Sequence, residues 1–281
     1  MEDNLKSGSL PAYSVLMSVY KNDRADFLRL AMESMFNQTV PPAEFVLMCD
    51  GPLTEDLSSI ISTMETKHDE LRVIRFEENH GLGYALQVGV QECRCDLIAR
   101  MDSDDVSRPE RCEKEIEYLM KHPEISVVGA WIEEFSTTPD NVESCRYVPE
   151  NDSEIRKFAQ TRNPFNHVSV MYRKADVLAA GNYQNVRFIQ DYYLWIAMLV
   201  KGFKGHNLQE PLVWVRADRG MFKRRSGKLY IQLQLDLFKI MLENKFISFT
   251  QYIKSCAIRI CSGFAPNWMR QIAFKRVLRN K

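Results

Sequence analysis

The chain predicts an α/β protein with a mostly parallel central sheet flanked by helices. Two observations carry that prediction. Short apolar runs at 13–20, 44–50, 71–76 and 97–101 alternate with stretches of amphipathic helical pattern, and such alternation implies right-handed crossovers and parallel strands. Three of the runs end in residues suited to ligands, at Tyr20, Asp50 and Asp102. In open parallel sheets, ligands sit at the carboxyl ends of the strands.

In order along the chain, the first strand (13–20) lies between Pro11 and Lys21-Asn22-Asp23. Asp23 is expected to cap a helix, with Asp26 three residues on and Phe27, Leu30, Ala31 and Met35 along one side. Pro41-Pro42 ends that helix, and the second strand stops at Gly51-Pro52. Leu57, Ile60, Ile61 and Met64 mark another amphipathic helix, and a third helix runs from Leu82 to Val90. The loop from Asn79 to Gly83 has two readings: amides that meet a phosphate, or a plain left-handed turn.

The strand at 97–101 runs straight into Asp102, Asp104 and Asp105. On extended backbone, residues two apart share a face, so Asp102 and Asp104 point together while Ser103 points away. Converging carboxylates suit a hard cation such as Mg2+ or Mn2+, shared with substrate phosphates. The alternative is an acidic turn that opens the helix expected from Arg108 to Met120.

Farther on, 123–131 reads as a strand, 136–152 as a loop-rich insertion, and 167–172 as another strand. His167 suits either a structural hydrogen bond or a binding role. Asp191 precedes the strongly apolar stretch 192–200 and so occupies the place of a helix N-cap. Arg216 ends a short strand at 212–216. With Lys223, Arg224 and Arg225 it either clamps a diphosphate or belongs to a solvated basic loop. Residues 228–281 are helical in pattern, with Leu229, Leu233, Leu237 and Ile240 at helical spacing and Pro266 dividing the segment.

Composition narrows the class. The 281 residues are 45% hydrophobic, enough for a sizeable core, and net charge is zero. That zero hides a split: residues 228–281 carry ten Lys or Arg against Asp236 and Glu243, a net of +8, and the remainder is −8. An acidic body (1–227) with a basic tail (228–281) is expected, the tail meeting anionic lipid or packing on the body. The seven cysteines form no disulfide or zinc framework, which suggests reduced thiols in a cytosolic protein. The segment MEDNLKSGSLPA lacks the pattern of a secretory signal, and no apolar run reaches the ~18 residues of a membrane span. Gly81-Leu-Gly83 does not complete GxGxxG, because position 86 is Leu, and no GxxxxGK[ST] occurs. With basic residues confined to the tail and no recognised motif, no nucleic acid partner is expected.

The ordered motifs Ser14–Tyr20, Asp50-Gly51, Asn79-x-Gly81-Leu-Gly-Tyr-Ala85-Leu and Met101-Asp-Ser-Asp-Asp105 with Pro109-x-Arg111 resemble the family-2 glycosyltransferases of the GT-A fold. Asn163-Pro-Phe-Asn-His167 and Gln190-Asp191-Tyr-Tyr-Leu-Trp195 extend the likeness to roughly residues 12–220. Gln190 and Gln87 depart from the family pattern, which favours Glu and Asn there. The resemblance implies an inverting, metal-dependent transfer from a UDP-sugar to a saccharide acceptor, plausibly polyprenyl-diphosphate-linked, at the inner face of the cell membrane. It implies that Asp50 accepts hydrogen bonds from uracil, and that Tyr20, Asn79 and Arg216 also bind the nucleotide-sugar. By the same likeness Asp102 contacts ribose or the ion shell, and Asp104 binds Mn2+ or Mg2+. Asp191 becomes the general base, and His167 lies beside the acceptor. Asp105 is expected to be structural. A sugar nucleotidyltransferase and a non-catalytic nucleotide-sugar-binding protein stand as alternatives. The first lacks its glycine-rich, lysine-containing loop after the first strand.

Overall fold

A computed structural model describes residues 10–217 and 227–264. Nine strands form one sheet: β1 (Tyr13–Val19), β2 (Glu44–Cys49), β3 (Leu71–Arg75), β4 (Leu97–Met101), β5 (Val106–Ser107), β6 (Ile125–Phe135), β7 (Val142–Arg146), β8 (Met171–Arg173) and β9 (Lys204–Arg216). Their order is β3-β2-β1-β4-β8-β6-β9-β5, with β7 paired to β6. The first four strands are mutually parallel. β8 is antiparallel to both neighbours, β4 and β6, so β6 and its parallel partner β9 run in the direction of the first four. Six strands therefore share a direction, and their carboxyl ends line one edge.

Alternation along the strands divides the interior in two. Val15, Met17, Phe45, Leu47, Ala99 and Met101 face one way, under α1 (Ala25–Phe36), α2 (Glu55–Glu65) and α4 (Arg111–Lys121). Leu16, Val46, Met48, Ile98, Val170 and Tyr172 face the other way. There they meet α3 (Leu82–Glu92), α5 (Asp152–Ala159), α6 (Lys174–Ala180), α7 (Gln190–Val200) and α8 (Lys228–Glu243). A sheet buried on both faces explains why β1, β2 and β4 read as nearly unbroken apolar runs.

Several expectations need correction. Arg24, not Asp23, is the N-cap residue of α1. The buried stripe of α1 is Leu28, Ala31, Met32, Met35 and Phe36, while Leu30 is exposed. Residues 167–169 form a 3-10 turn, and only Met171–Arg173 pairs as a strand, because β8 is a short link between β4 and β6. The last strand starts at Lys204, well before 212, since β9 pairs along most of β6. The 136–152 insertion contains β7.

In α8 the buried positions are Gln234, Leu237, Phe238 and Met241, with Leu229 and Ile240 exposed. The chain breaks after α8 at Asn244–Ser248 and continues as α9 (Phe249–Phe264); Pro266 lies outside the described residues. α8 packs on α7, where the Tyr193 hydroxyl donates to Leu233 O (3.2 Å). All seven cysteines are free. Among the described residues no helix is long and apolar enough to cross a membrane.

Candidate active site at the strand ends

Two carboxylate centres occupy the edge where β1, β2 and β4 end. At the end of β2, Asp50 is 4% exposed and accepts three hydrogen bonds. His80 N donates to Oδ1 (2.7 Å); Gly81 N and Asn79 Nδ2 donate to Oδ2 (both 2.9 Å). Asn79 Nδ2 also reaches Asp50 O (2.9 Å). Gly51 makes this docking possible, with a φ of +89° and Asn79 N only 2.8 Å from where a Cβ would stand. The amides of His80 and Gly81 are thus directed at Asp50, and Gly81 has a positive φ of +92° without the left-handed helical ψ (157°) of the turn expected here.

The end of β4 is built differently. Asp102 pairs with Arg100, whose side chain is 1% exposed. Asp104 and Asp105 follow, and Asp23 arrives from the loop after β1. Asp23 Oδ2 accepts from Tyr20 N (3.0 Å) and Ser103 Oγ (2.9 Å), so it is tied to the site instead of capping a helix. Asp105 is buried and accepts from Arg216 N (2.8 Å), which joins the end of β9 to this edge; it is not a helix-start acid, since α4 begins at Arg111. Arg216 Nε donates to Asp104 O (3.2 Å), and its guanidinium lies 3.7 Å over the Phe27 ring. Lys223, Arg224 and Arg225 lie outside the described residues.

Negative charge is crowded here. Burial, then Asp102 and Asp23, push the Asp104 carboxyl up to about 7. Burial, then Asp104 and Asp102, hold Asp105 well above the usual range. Burial chiefly, with a contribution from Asp102, raises Asp23 to about 6, although the Tyr20 amide and Ser103 hydroxyl pull it back. Like charges that share a desolvated site disfavour one another's ionised forms, and a cation between them reverses this. The oxygen donors fit a hard divalent ion. Among the described residues no set of three or more His, Cys, Asp or Glu forms a closed metal site.

Beneath this edge, the N-terminal residue of α4 locks β4 in place. Buried Arg111 donates through Nη2 to Arg100 O (2.9 Å) and Val170 O (3.1 Å), and pairs with Glu115 (3.1 Å). Burial raises the Glu115 carboxyl to about 7 even beside Arg111.

The remaining expected residues lie on the α7 side. Asp191 is in the first turn of α7, whose N-cap residue is Ile189, so it is not the cap itself. Its Oδ2 accepts from Asn163 Nδ2 (2.5 Å). His167 Nε2 bonds the Tyr183 hydroxyl (2.9 Å), and burial together with Arg100 holds the imidazole well below its ordinary range. Tyr183 in turn feels Arg100, Asp191 and Asp102 through space. The structure thus gathers Tyr20, Asp102, Asp104 and Arg216 around the β4 end, and Asp50 with Asn79 at the β2 end. Asp191 and His167 connect to the first group through Tyr183 and Arg100. Arg100 and Tyr183 escaped the sequence analysis, and Asp23 was read there only as a helix cap. A lone arginine inside the apolar run 97–101 was the one legible signal.

Comparison with known proteins gives this edge a family. Residues 14–178 match the family described as Glycosyl transferase family 2. An Escherichia coli protein named UDP-Gal:alpha-D-GlcNAc-diphosphoundecaprenol beta-1,3-galactosyltransferase is 33% identical over 97% of this chain and 98% of its own. The amylovoran biosynthesis glycosyltransferase AmsE of Erwinia amylovora is 34% identical, covering 94% and 98%. Among solved structures, S. aureus TarS 1-349 in complex with UDP-GlcNAc superposes with a TM-score of 0.70, covering 95% of this chain and 76% of that one. At 14% identity that likeness speaks to the fold, which is GT-A. On its sequence match and its two full-length relatives, the chain belongs to glycosyl transferase family 2 and is a glycosyltransferase.

Proposed function

We propose that the enzyme moves one sugar from a UDP-sugar to a saccharide acceptor with inversion, the acceptor being carried on a polyprenyl diphosphate in surface-polysaccharide biosynthesis such as that of O-antigen or capsule. The observation that carries this reading is the gathering of acids at the β4 end, where Asp102, Asp104 and Asp105 follow the strand and Ser103 ties Asp23 to them. Such a site favours a bound cation and the diphosphate that completes its shell. The E. coli relative's name supports the choice of donor and carrier, and the UDP-GlcNAc complex of TarS supports a uridine nucleotide.

In this reading Asp104 and Asp102 hold Mn2+ or Mg2+, which when bound neutralises charge developing on the departing UDP. Asp50 receives the uracil through the acceptor capacity its loop bonds leave, and Asn79 and Tyr20 border the same nucleotide. Arg216 faces the diphosphate. Asp191 takes the proton of the acceptor hydroxyl as that oxygen attacks the anomeric carbon opposite the UDP, and His167 borders the acceptor. A single displacement of this kind inverts the anomeric centre.

Residues 228–281 serve as a tail that places the enzyme peripherally on the inner face of the membrane. The exposed Phe249, Ile253, Ile258 and Ile260 of α9, beside dispersed basic residues, support this. A panel of UDP-sugars offered with polyprenyl-diphosphate-linked saccharides, read by mass spectrometry with and without chelator, tests the whole reading. One sugar donor should be used, transfer should stop with chelator and resume with Mn2+, and Asp191→Asn should lower kcat by about 10²–10⁴-fold. Turnover that is indifferent to chelator and to Asp191 would remove both roles.

A further inference from the structure

The least explained side chain in the interior is Arg100. It sits on β4 with its side chain on the face of Ile98, among Tyr172, Tyr183, His167 and Trp195 of the second core. It is 1% exposed, and its ion pair with Asp102 is the one salt bridge it makes among the described residues. Its Nε and Nη1 find no hydrogen-bond partner, and nearby Trp195 Nε1 is also without one.

A guanidinium in such a place is a poor stabilising device. Replacement of a buried ion pair by apolar groups is often neutral or favourable for folding, whereas removal of one partner is damaging. An arginine held there with two idle nitrogens is better explained by what it does to its partner. That partner, Asp102, is partly exposed at the strand-end edge, with a side-chain exposure of 37%. Arg100 reaches Oδ1 from the buried side, and the Asp102 side chain keeps 37% of its surface exposed. On its other side Arg100 borders Tyr183, whose hydroxyl bonds His167 and lies in the field of both Asp102 and Asp191.

We propose that Arg100 is a positioning residue for sugar transfer: by gripping one oxygen of Asp102 from within the core, it aims the other at the nucleotide and its cation. The buried Tyr183–His167 pair braces the arginine from the Asp191 side. The proposal rests on the function assigned above, because it needs Asp102 to meet the donor. It predicts that loss of Arg100 weakens donor binding without weakening the fold in proportion.

The test uses the full chain and three substitutions: Arg100→Met, Arg100→Lys and Asp102→Asn. Binding of UDP in the presence of Mn2+ is followed by calorimetry, melting temperature by scanning, and kcat and KM on the working donor. Arg100→Met should raise the UDP–Mn2+ Kd and the donor KM tenfold or more at a temperature where the variant remains folded. Arg100→Lys should recover part of the affinity. The combination of Arg100→Lys with Asp102→Asn should be little worse than Asp102→Asn alone, since both act on one carboxylate. This cycle decides the matter even where Arg100→Met fails to fold. A melting temperature that falls while Kd and KM stay unchanged, or strictly additive effects in the cycle, overturns the role of Arg100. Absence of UDP binding in the wild type overturns the functional reading itself.

Discussion

Asp50 and Asp104 follow two strands of one sheet, β2 and β4, on either side of β1, yet their surroundings are opposite. Asp50 is met by three donors from a single loop, and its charge is answered by the fold. Asp104 is met by burial and by two more carboxylates, which Arg100 only partly offsets. The difference separates an acid held in place by donors of its own loop from an acid crowded by like charge. Hydrogen bonds to a carboxylate stabilise the ionised form internally, whereas desolvation beside like charge stores repulsion that a cation releases.

That contrast is open to direct attack. The largest effect is expected from Asp104→Asn, which should lower transfer by about 10²–10³-fold, the order seen when one electrostatic contact to a transition state is removed. Its melting temperature should hold or rise, because like-charge repulsion is relieved; a large loss of stability would place Asp104 with Asp50 as a structural acid. Asp50→Ala should do the reverse. It strands the amides of His80 and Gly81 and the side chain of Asn79, and should destabilise the protein by about 2–4 kcal/mol in denaturant titrations. Transfer at low temperature should suffer less than in Asp104→Asn.

Acidity offers a third test. The folded-state values of Asp104 (about 7) and Asp23 (about 6) lie above the ordinary carboxylate value, so the ligand-free fold binds protons that the unfolded chain does not. Their contribution to stability is therefore full below the ordinary range and is lost as pH rises through about 6 and then about 7. A cation needs the same groups ionised. The gain in melting temperature from UDP with Mn2+ should thus grow from pH 5.5 to pH 7.5, and an equal gain at both ends would contradict the crowding. The smallest effect belongs to Asp23→Asn. The amide oxygen still accepts from Tyr20 N and Ser103 Oγ, so only charge is lost. The UDP–Mn2+ Kd should change by about three- to tenfold, the scale of one partly screened charge, with the acid shift of Asp104 visibly reduced.

Much of this was legible beforehand, and the reason is local. Apolar runs with helical intervals give strands β1 to β4 because periodicity and burial on both faces act over a few residues. The doublet Asp102 and Asp104 was picked out by strand geometry, but β4 ends at Met101 and residues 103–104 form a turn, so the period of two does not extend to them. The second half of the sheet was read poorly. β8 pairs for three residues only, and most of β9 owes its strand state to a long alignment with β6. The tail helices were found, but the face that α8 buries was misjudged, because Leu229 and Ile240 are no less apolar than the residues that α7 covers.

The amino-acid sequence by itself determined the alternating architecture, the family likeness and the placing of acids at strand ends, since each depends on short-range spacing. Only the tertiary structure decided which acids are satisfied and which are crowded. Ser103 meets Asp23 across 80 residues, and Arg216 meets Asp105 across 111. Arg100 comes near Tyr183 and His167 only because β8 and the 3-10 turn before it pack against β4. Charge, hydrogen bonding and burial at a site are sums over such distant neighbours, and no local period encodes them.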